Sequence, residues 1–319
     1  MLPKVTIMIP TYNQAAFIGD ALEGAIAQDY ENLEIVISND CSTDNTELVV
    51  SKYFDDPRIN YHKNEINLGR VRNYRHTLEN YATGDWVVNC DGDDYYTDKH
   101  FISEMIGLIL QSDNVVIAMG GRLNWIQDVD EYQNYVPPIN KKNFIMDGKS
   151  FLMNYYKFNY MSHLTTIYNR KKALEIGFYK EEIISTDLES ILRLCLHGNV
   201  LLTTGVYGVW RNHGDNTCIK SNFDECVDNF DRTYKPYRYA VEKGVNEKEA
   251  FKSMKYLLKN NLNDLVYSVF VSESKIFDKN NKLKLLKYLF KERISYVFSV
   301  DACKTFCLYV LKKLKIKKP

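Results

Sequence analysis

Three aspartates crowd into the six-residue segment Asn89–Asp94, which reads Asn-Cys-Asp-Gly-Asp-Asp and directly follows the apolar run Trp86–Val88. Carboxylates this close repel one another, so a fold that keeps them together gains something from their charge. A divalent cation that prefers hard oxygen ligands is the usual compensation, and such a cation would in turn hold a diphosphate. The alternative is a solvated acidic turn, since Asp and Gly both favour turns. The choice between the two depends on the elements around the segment.

The amino-terminal part of the chain alternates strand and helix patterns. Two short β-branched apolar runs, Val5–Ile9 and Leu33–Ser38, flank a helical pattern over Ala16–Ala27, which predicts a βαβ unit. The elements predicted next are a helix capped by Ser42 or Thr43, an extended segment at Ile59–His62, a helix over Val71–Tyr81 and the strand that delivers Asp91. Polar residues therefore follow successive strand ends, which is where open α/β sheets bind ligands.

Five segments of this region resemble, in the same order, the inverting nucleotide-sugar glycosyltransferases of family 2. The matching segments are Ile9–Asn13, Gln28–Tyr30, Glu34–Asp44, Asn67–Gly69 and Asp85–Asp94. The resemblance is dense from residue 4 to about residue 110 and thinner to about residue 217. It implies the α/β GT-A fold, a Rossmann-like open mixed sheet with flanking helices, followed by a helical carboxyl-terminal extension. We expect a nucleotide-sugar-binding and catalytic domain over residues 1–221 and a helical, basic region over residues 222–319.

The resemblance implies donor-binding roles for residues at several strand ends. Asp40 would accept a hydrogen bond from an imide N–H such as uracil N3, although it could also form an Asx turn. Asp91 would lie beside the donor ribose, and Asp94 would border the sugar. Arg72 is preferred to Arg70 as a cation near the diphosphate. The other donor-site residues implied are Pro10, Thr11, Tyr12, Asn13, Asn67, Gly69 and Arg211.

A nucleoside diphosphate becomes more negative as its bond to the sugar breaks, and a metal ion on its phosphate oxygens stabilises that charge. Asp93 is the expected metal ligand. By resemblance, Asp91 reaches the metal directly or through water, and His213 completes the shell. Mn²⁺ and Mg²⁺ both suit carboxylate ligands, and the sequence does not separate them. His213 could equally be a surface loop histidine, and the other five histidines are expected to be structural.

An inverting transfer also needs a general base close to the acceptor hydroxyl. The candidate is Asp187, because Ser185–Arg193 resembles the family's Glu-Asp motif at the start of an amphipathic helix. Thr186 stands where the family often has Glu. An acidic residue in a first helical turn can also simply complement the helix dipole. Glu189 is the second candidate. The Tyr-rich stretch Trp125–Tyr168 could stack on acceptor sugars, although tyrosines also line cores.

Composition agrees with a globular protein, because 319 residues with 45% hydrophobic content can bury a sizeable core. Seven cysteines without a C-x-x-C pair indicate neither a disulfide framework nor a zinc site. No apolar run approaches the roughly 18 to 20 residues of a membrane-spanning helix, and the first residues lead straight into a strand, so we expect a cytoplasmic protein. Acidic residues at the nucleotide edge argue against a nucleic-acid partner.

The formal net charge of zero hides two regions of opposite sign. Residues 279–319 contain twelve Lys or Arg and two acidic residues, a net charge of +10, which leaves −10 for residues 1–278. A predicted helix over Lys282–Val297 has lysines on one face and leucines on another. This basic helix could pack on the catalytic domain, contact a partner, or lie on an anionic membrane. The last of these predicts a peripheral protein on the inner face of the cell membrane.

These features predict a metal-dependent inverting glycosyltransferase that moves a hexose or N-acetylhexosamine from a UDP-sugar to a saccharide or lipid-linked saccharide acceptor. By resemblance, it would act in the synthesis of a bacterial surface polysaccharide such as capsule, O-antigen or lipooligosaccharide. One alternative is a sugar-nucleotide nucleotidyltransferase, which would want a Gly-rich basic loop where this chain has Pro10–Asn13. The other is a non-catalytic binding module, which would not need Asp93 and Asp187 together.

Overall fold

The computed structural model describes residues 2–213, 216, 223–270, 284, 287 and 288. In these ranges ten strands form one sheet. The strands are β1 (Val5–Thr11), β2 (Leu33–Asn39), β3 (Ile59–Lys63), β4 (Trp86–Asn89), β5 (Tyr95–Tyr96), β6 (Val115–Ile126), β7 (Glu131–Tyr135), β8 (Asn143–Asp147), β9 (Thr166–Asn169) and β10 (Asn199–Asn212). The α-helices are α1 (Ile18–Ile26), α2 (Thr46–Val50), α3 (Arg70–Asn80), α4 (Phe101–Leu110), α5 (Gly148–Phe158), α6 (Arg170–Glu175), α7 (Thr186–Leu194), α8 (Phe223–Asp228), α9 (Asp231–Glu242) and α10 (Glu247–Phe270).

The sheet is mixed, in the order β3-β2-β1-β4-β9-β6-β10-β5, with β7 paired to β6 and β8 paired to β10. Strands β3, β2, β1 and β4 are parallel, whereas β9 is antiparallel to both of its neighbours. The register pairs Thr11 with Asn39 and Met8 with Asn89. The carboxyl ends of β1, β2 and β4 therefore meet at one edge, where the sequence predicted the polar segments.

The central strands are covered on both faces. All seven residues of β1 and all seven of β2 are buried, as expected for parallel strands between helical layers. The alternate side chains Val5, Ile7 and Ile9 join one core with apolar residues of α1 and α4. Helix α3 also contacts β1 and β2. The predicted strand–helix alternation is thus present, and it gives the acidic segment a rigid support.

The start of α2 differs from the prediction. The helix begins at Thr46, whose N–H donates to Asp44 Oδ1 at 2.9 Å, so neither Ser42 nor Thr43 caps it. Ser42 and Thr43 instead bind Asn13 in the neighbouring strand-end loop. Ser42 and Thr43, which the local sequence predicted as helix caps, therefore make tertiary contacts instead.

The described residues divide into two compact units. The first comprises residues 2–182 and 186–213 and contains the sheet. The second comprises residues 183–185 and the described residues after 213, in which α9 and α10 pack together and Asn261 donates to Thr233 Oγ1 at 2.7 Å. The predicted domain boundary after residue 221 falls within a stretch outside the described residues and stays a prediction. Over the described ranges, every helix is too short or too polar to cross a membrane.

Glu34 ties the first two strands to the turn before β4. Its Oε1 accepts hydrogen bonds from Thr6 Oγ1 at 2.5 Å and from the Thr83 N–H at 2.6 Å. Its Oε2 accepts from Thr83 Oγ1 at 2.6 Å and lies 2.5 Å from Lys4 Nζ. Burial alone would raise the pKa of Glu34, but the hydrogen bonds from Lys4, Thr6 and Thr83 outweigh it, so the pKa is lowered.

We expect Glu34→Gln to destabilise the protein at pH 7 by roughly 1 to 3 kcal/mol, because it weakens buried hydrogen bonds to a charged group. A carboxyl whose pKa is lowered by folding adds stability above its unfolded pKa of about 4.3 and loses it as the pH falls through the folded value. The difference between wild type and variant should therefore shrink at about pH 3. Urea unfolding at both pH values measures it, with the exposed Glu31→Gln as control. A difference that stays constant would show that the charge of Glu34 is not its source.

Candidate functional site

The first strand-end loop, Pro10–Asn13, is fastened to the loop after β2. Asn13 has a positive φ of 53° and donates its backbone N–H to Ser42 Oγ at 2.9 Å. Its side-chain oxygen accepts the N–H of Thr43 at 2.8 Å. The first two residues of the loop are buried, whereas Tyr12 is 47% exposed. Tyr12 is therefore not a core residue, and its ring stands at the edge where the strand ends meet.

Asp40 fastens the loop that precedes α3. Its Oδ1 accepts the Leu68 N–H and the Asn64 side-chain amide, both at 2.8 Å. Its Oδ2 accepts the Gly69 N–H at 2.9 Å, and its carbonyl accepts the Asn67 amide at 3.0 Å. Gly69 has a φ of 84°, a conformation that favours glycine. Because each carboxylate oxygen can accept two hydrogen bonds, Oδ2 has a lone pair left for one further donor, although only 2% of Asp40 is exposed.

Asp94 is the most buried carboxyl of the acidic segment, with 4% of its surface exposed. Its Oδ1 accepts the backbone N–H of Arg211 at 3.0 Å. Burial, followed by the charges of Asp93 and Asp91, raises the pKa of Asp94 well above its usual range. The mutual repulsion inferred from the sequence is therefore present at the end of β4.

Asp93 lies against His213, with 2.9 Å between Oδ2 and Nε2. The segment turns at Gly92, where a Cβ atom would stand 2.5 Å from Gln14 Oε1 and 3.0 Å from Thr11 Oγ1. A larger residue at position 92 would displace the Gln14 side chain and press on Thr11. The pairing brings together two of the three expected metal ligands, which are 120 positions apart in the chain.

The Asp93–His213 pair fits a divalent cation. A carboxylate oxygen and an imidazole nitrogen are both metal ligands, and the remaining positions could be filled by phosphate oxygens and water. Among the described residues, no three His, Cys, Asp or Glu side chains converge so as to hold a metal ion by themselves. Asp91 Oδ1 accepts hydrogen bonds from Tyr74 and Asn89, and its contact with the metal, directly or through water, stays a prediction.

Asp187 opens α7 and lies beside a histidine that we expected to be structural. Its Oδ2 is 4.0 Å from Nδ1 of His163, whose Nε2 is 2.7 Å from the hydroxyl of Tyr179. Tyr179 is fully buried and has a φ of 60°, which is rare for a bulky residue. This unusual backbone conformation holds the hydroxyl against His163 and so fixes the imidazole next to the Asp187 carboxylate.

His163 also connects Asp187 with the acidic segment. The side-chain amide nitrogen of Asn89 is 3.4 Å from His163 Nδ1 and 2.8 Å from Asp91 Oδ1. The same Asp91 oxygen accepts the hydroxyl of Tyr74 at 2.7 Å. The candidate base and the candidate donor-binding segment therefore belong to one continuous polar cluster.

The two arginines at the start of α3 point to different places. Arg72, the predicted diphosphate contact, is 58% exposed at its side chain and binds Glu182 at 2.9 and 3.0 Å. Arg70 is half-buried, with its guanidinium 5.4 Å from the centre of the Tyr74 ring. Burial lowers the pKa of Arg70, but Tyr74 and two aspartates of the cluster, 187 and 91, outweigh it and raise that pKa. The geometry thus places Arg70 rather than Arg72 in the cluster.

Glu189 is wrong as the second candidate base. It is fully buried and binds Arg193 through two contacts of 2.6 and 2.9 Å, one turn further along α7. A carboxylate enclosed in this way cannot reach an acceptor hydroxyl, and the role of Asp187 as base stays a prediction.

Arg211 lies under a group of aromatic rings. Its guanidinium carbon is 4.9, 5.2 and 5.3 Å from the ring centres of Phe17, Tyr95 and Trp125. Its Nη2 lies 2.6 Å from Asp20 Oδ2. These contacts join β10 to α1 next to the Asp93–His213 pair. The predicted contact of Arg211 with a donor phosphate stays a prediction.

Comparison with known structures identifies the fold. Residues 1–349 of TarS from Staphylococcus aureus, in complex with UDP-GlcNAc, align with 99% of this chain and 93% of that chain, with a TM-score of 0.67 and 15% identity. The mannosyltransferase PcManGT from Pyrobaculum calidifontis, in complex with GDP-Man and Mn²⁺, aligns with 100% and 89%, with a TM-score of 0.55 and 15% identity. The predicted GT-A fold, an open mixed sheet with flanking helices, is confirmed.

Sequence comparison identifies the family. Residues 6–177 match the model of Glycosyl transferase family 2. The chain therefore belongs to this family, as its motifs predicted.

Curated relatives match shorter parts of the chain. They include an uncharacterized glycosyltransferase of Rickettsia felis, 35% identical over 149 residues, and the poly(ribitol-phosphate) beta-N-acetylglucosaminyltransferase TarS of Staphylococcus aureus, 31% identical over 122 residues. A putative colanic acid biosynthesis glycosyl transferase of Escherichia coli, WcaA, is 37% identical over 100 residues. The matched regions cover 44%, 37% and 30% of this chain but only 24%, 21% and 34% of these relatives.

Proposed function

We propose that this protein is a metal-dependent inverting glycosyltransferase that moves a hexose or N-acetylhexosamine from a UDP-sugar to a saccharide or lipid-linked saccharide acceptor. The observation that carries the proposal is the continuity of the polar cluster. The acidic segment with its Asp93–His213 pair lies on the donor side, and Asp187 lies on the acceptor side. Asp91 and His163 connect them.

A UDP donor suits the strand-end loops. The exposed ring of Tyr12 can stack on a base, and Asp40 Oδ2 can accept the N3–H of uracil while the rest of that carboxylate holds the loop. The TarS structures contain UDP-GlcNAc or UDP, which supports uridine as the base by analogy of fold. The names of TarS and WcaA refer to bacterial polymers, which supports a surface-polysaccharide acceptor in the same way.

The chemistry divides between the two sides of the cluster. Asp93 and His213 would hold Mn²⁺ or Mg²⁺, and the bound ion would neutralise charge that develops on the departing diphosphate. Asp187 takes the proton from the acceptor hydroxyl as that oxygen bonds to the anomeric carbon. The bond between this carbon and the diphosphate oxygen breaks on the opposite face, so the configuration inverts. Arg70 balances the negative charge beside Asp187.

Binding of UDP should depend on the metal and on Asp93. A ligand that binds only the folded state raises the melting temperature, by about 2.7 kcal/mol of stability at 100 times its Kd. We therefore expect UDP with Mn²⁺ or Mg²⁺ to stabilise the wild type and the exposed-surface control Asp55→Asn, but not Asp93→Asn. A thermal-shift series with UDP, GDP and CMP, each with metal or with EDTA, measures this. Equal stabilisation by UDP in EDTA would contradict the metal role, and stabilisation by GDP alone would contradict the role given to Asp40.

Loss of the Asp187 carboxylate should lower sugar transfer but leave donor binding intact. We expect Asp187→Asn to keep metal-dependent UDP binding and to lower transfer by roughly 10² to 10⁴-fold, the usual contribution of a general base. The readout is UDP release from a panel of UDP-sugars in the presence of a bacterial surface-polysaccharide extract. Glu189→Gln is the contrast: it should lower the stability by about 3 kcal/mol, because Arg193 is left buried without its partner charge. If Asp187→Asn also abolished UDP binding, Asp187 would belong to the donor site or to folding.

We also propose that the basic tail holds the enzyme at the inner face of the cell membrane. Most of residues 279–319 lie outside the described residues, among them the leucine face of the predicted helix. Lys284 and Lys287 are described, and both are exposed. The proposal rests on the net charge of +10 in this region, since each cation near an anionic leaflet adds about 1 kcal/mol to binding.

The tail should bind anionic lipid through its terminal lysines. We expect the full-length protein to co-sediment with vesicles that contain phosphatidylglycerol and not with vesicles of phosphatidylcholine alone. Replacing Lys312, Lys313, Lys315, Lys317 and Lys318 by Gln should release it at low salt, because about 5 kcal/mol of attraction is lost. A matched variant with five Arg in place of these lysines keeps the charge and should bind as the wild type does. Equal sedimentation of the Gln variant would overturn the proposal.

A further inference from the structure

An open pocket of about 520 Å³ lies between α1, β5 and the β6–β7 hairpin. Its size falls within the roughly 300 to 1,000 Å³ of small-ligand sites. The residues that carry the argument are Phe17, Asp20, Glu23, Trp125, Tyr132 and Arg211. None of Asp91, Asp93, Asp94 and Asp187 lines it, so the pocket is separate from the polar cluster described above.

The outer wall of the pocket is a rigid aromatic pair. Trp125 and Tyr132 are opposite each other in the β6–β7 register, and their rings are parallel within 3° at 5.6 Å. The indole N–H of Trp125 donates to Asp130 at 2.9 Å in the hairpin turn, which fixes its orientation. Tyr132 is nevertheless 51% exposed. Flat aromatic surface that is held in place and open to solvent is the kind of surface on which sugar rings stack.

The polar groups of the pocket favour a neutral ligand. Asp20 and Glu23 carry two negative charges and Arg211 carries one positive charge, so the lining has a net charge of −1. The Arg211 charge is also already balanced by Asp20 at 2.6 Å. A phosphate or a uronate would therefore meet repulsion, whereas sugar hydroxyls could donate to the carboxylates.

The pocket shares a wall with the polar cluster. The Phe17 ring, which lines the pocket, is 4.8 Å from the ring of His213, and Arg211 donates its backbone N–H to Asp94. A ligand in the pocket thus lies about one side chain away from the proposed donor site. The reacting sugar itself must stay within reach of Asp187 and the acidic segment, so an occupant of the pocket is another part of the substrate.

We propose that this pocket binds a neutral sugar unit of the acceptor chain, at a distance from the sugar whose hydroxyl is glycosylated. The inference rests on the proposed glycosyltransferase function. It gives the enzyme a second contact with the acceptor, by which it recognises an acceptor of more than one sugar. Stacking on the exposed Tyr132 ring, which packs on Trp125, supplies affinity, and Glu23 selects against acidic sugars.

The test is direct binding of simple sugars to the full-length protein. The neutral probes are the disaccharides cellobiose, maltose and diacetylchitobiose, and the acidic probes are glucuronic acid and glucose 6-phosphate. Saturation-transfer NMR detects the binding of each probe. We expect at least one neutral disaccharide to bind, with UDP and Mn²⁺ present, and the acidic sugars to bind more weakly. Tyr132→Ala should weaken this binding roughly 3- to 10-fold, the range expected for one aromatic contact. Tyr256→Ala removes a similarly exposed tyrosine from α10 and should have no effect.

Two further variants sharpen the result. Trp125→Phe keeps a ring in the wall and should retain most of the binding, while Glu23→Gln should remove the discrimination against acidic sugars. The inference is overturned if no neutral disaccharide binds, if Tyr132→Ala binds as the wild type does, or if the sugar competes with a UDP-sugar for one site. Metal-dependent UDP stabilisation, measured in the same variants, reports on the proposed function separately. If UDP and metal do not stabilise the wild type, the glycosyltransferase proposal itself is contradicted.

Discussion

The repulsion among three carboxylates at the end of β4 is the constraint around which the site is arranged. Each carboxylate has its own partners. Asp91 accepts from Tyr74 and Asn89, Asp93 meets His213, and Asp94 is buried against the backbone of β10 with a raised pKa. These partners come from α3, from β4, and from β10 and the residue that follows it, so three elements distant in the sequence keep the charges in place. Without a metal, separate protein groups contact the three negative charges one by one. A divalent cation would neutralise part of this charge and in turn bind a diphosphate.

The strand register makes this arrangement possible. β1 and β2 end at the paired residues Thr11 and Asn39, and β4 ends three residues earlier, where Asn89 pairs with Met8. All three carboxyl ends lie at one edge of the sheet, so the loops that follow them meet there. Cross-loop hydrogen bonds then fix them: Asn13 binds the loop after β2, and Asp40 binds the loop before α3. A donor that binds at this edge meets groups that are already ordered, so little conformational entropy is lost on binding.

The sequence was most informative where the chemistry is local. The acidic segment, the βαβ unit and the helix over residues 71–81 follow from patterns within a few residues, and all three are present. Arg70, rather than the preferred Arg72, lies against the polar cluster, and the sequence contained a signal for this placement. The diphosphate contact of Arg72 itself stays a prediction. Arg70 precedes the buried Asn73 and Tyr74 by three and four residues, which places it on the inward face of α3. Arg72, two positions along, points away from that face. In the same way, the four-residue spacing of Glu189 and Arg193 predicts their ion pair.

The neighbours of Asp187 could not have been found by such rules. His163 lies in the segment before β9, far from Asp187 in the sequence, and Tyr179 holds it from a backbone conformation that costs about 1 to 3 kcal/mol. That strain persists because the Tyr179 N–H donates to Ser190 in α7 and the neighbouring Phe178 ring stacks on Tyr168 of β9. The position of the candidate base is thus determined by the packing of α7 against the sheet, whereas the donor loops are determined by their own short segments. For this reason the sequence indicates the strand-end loops, which depend on short local segments, in more detail than the surroundings of Asp187, which depend on tertiary packing.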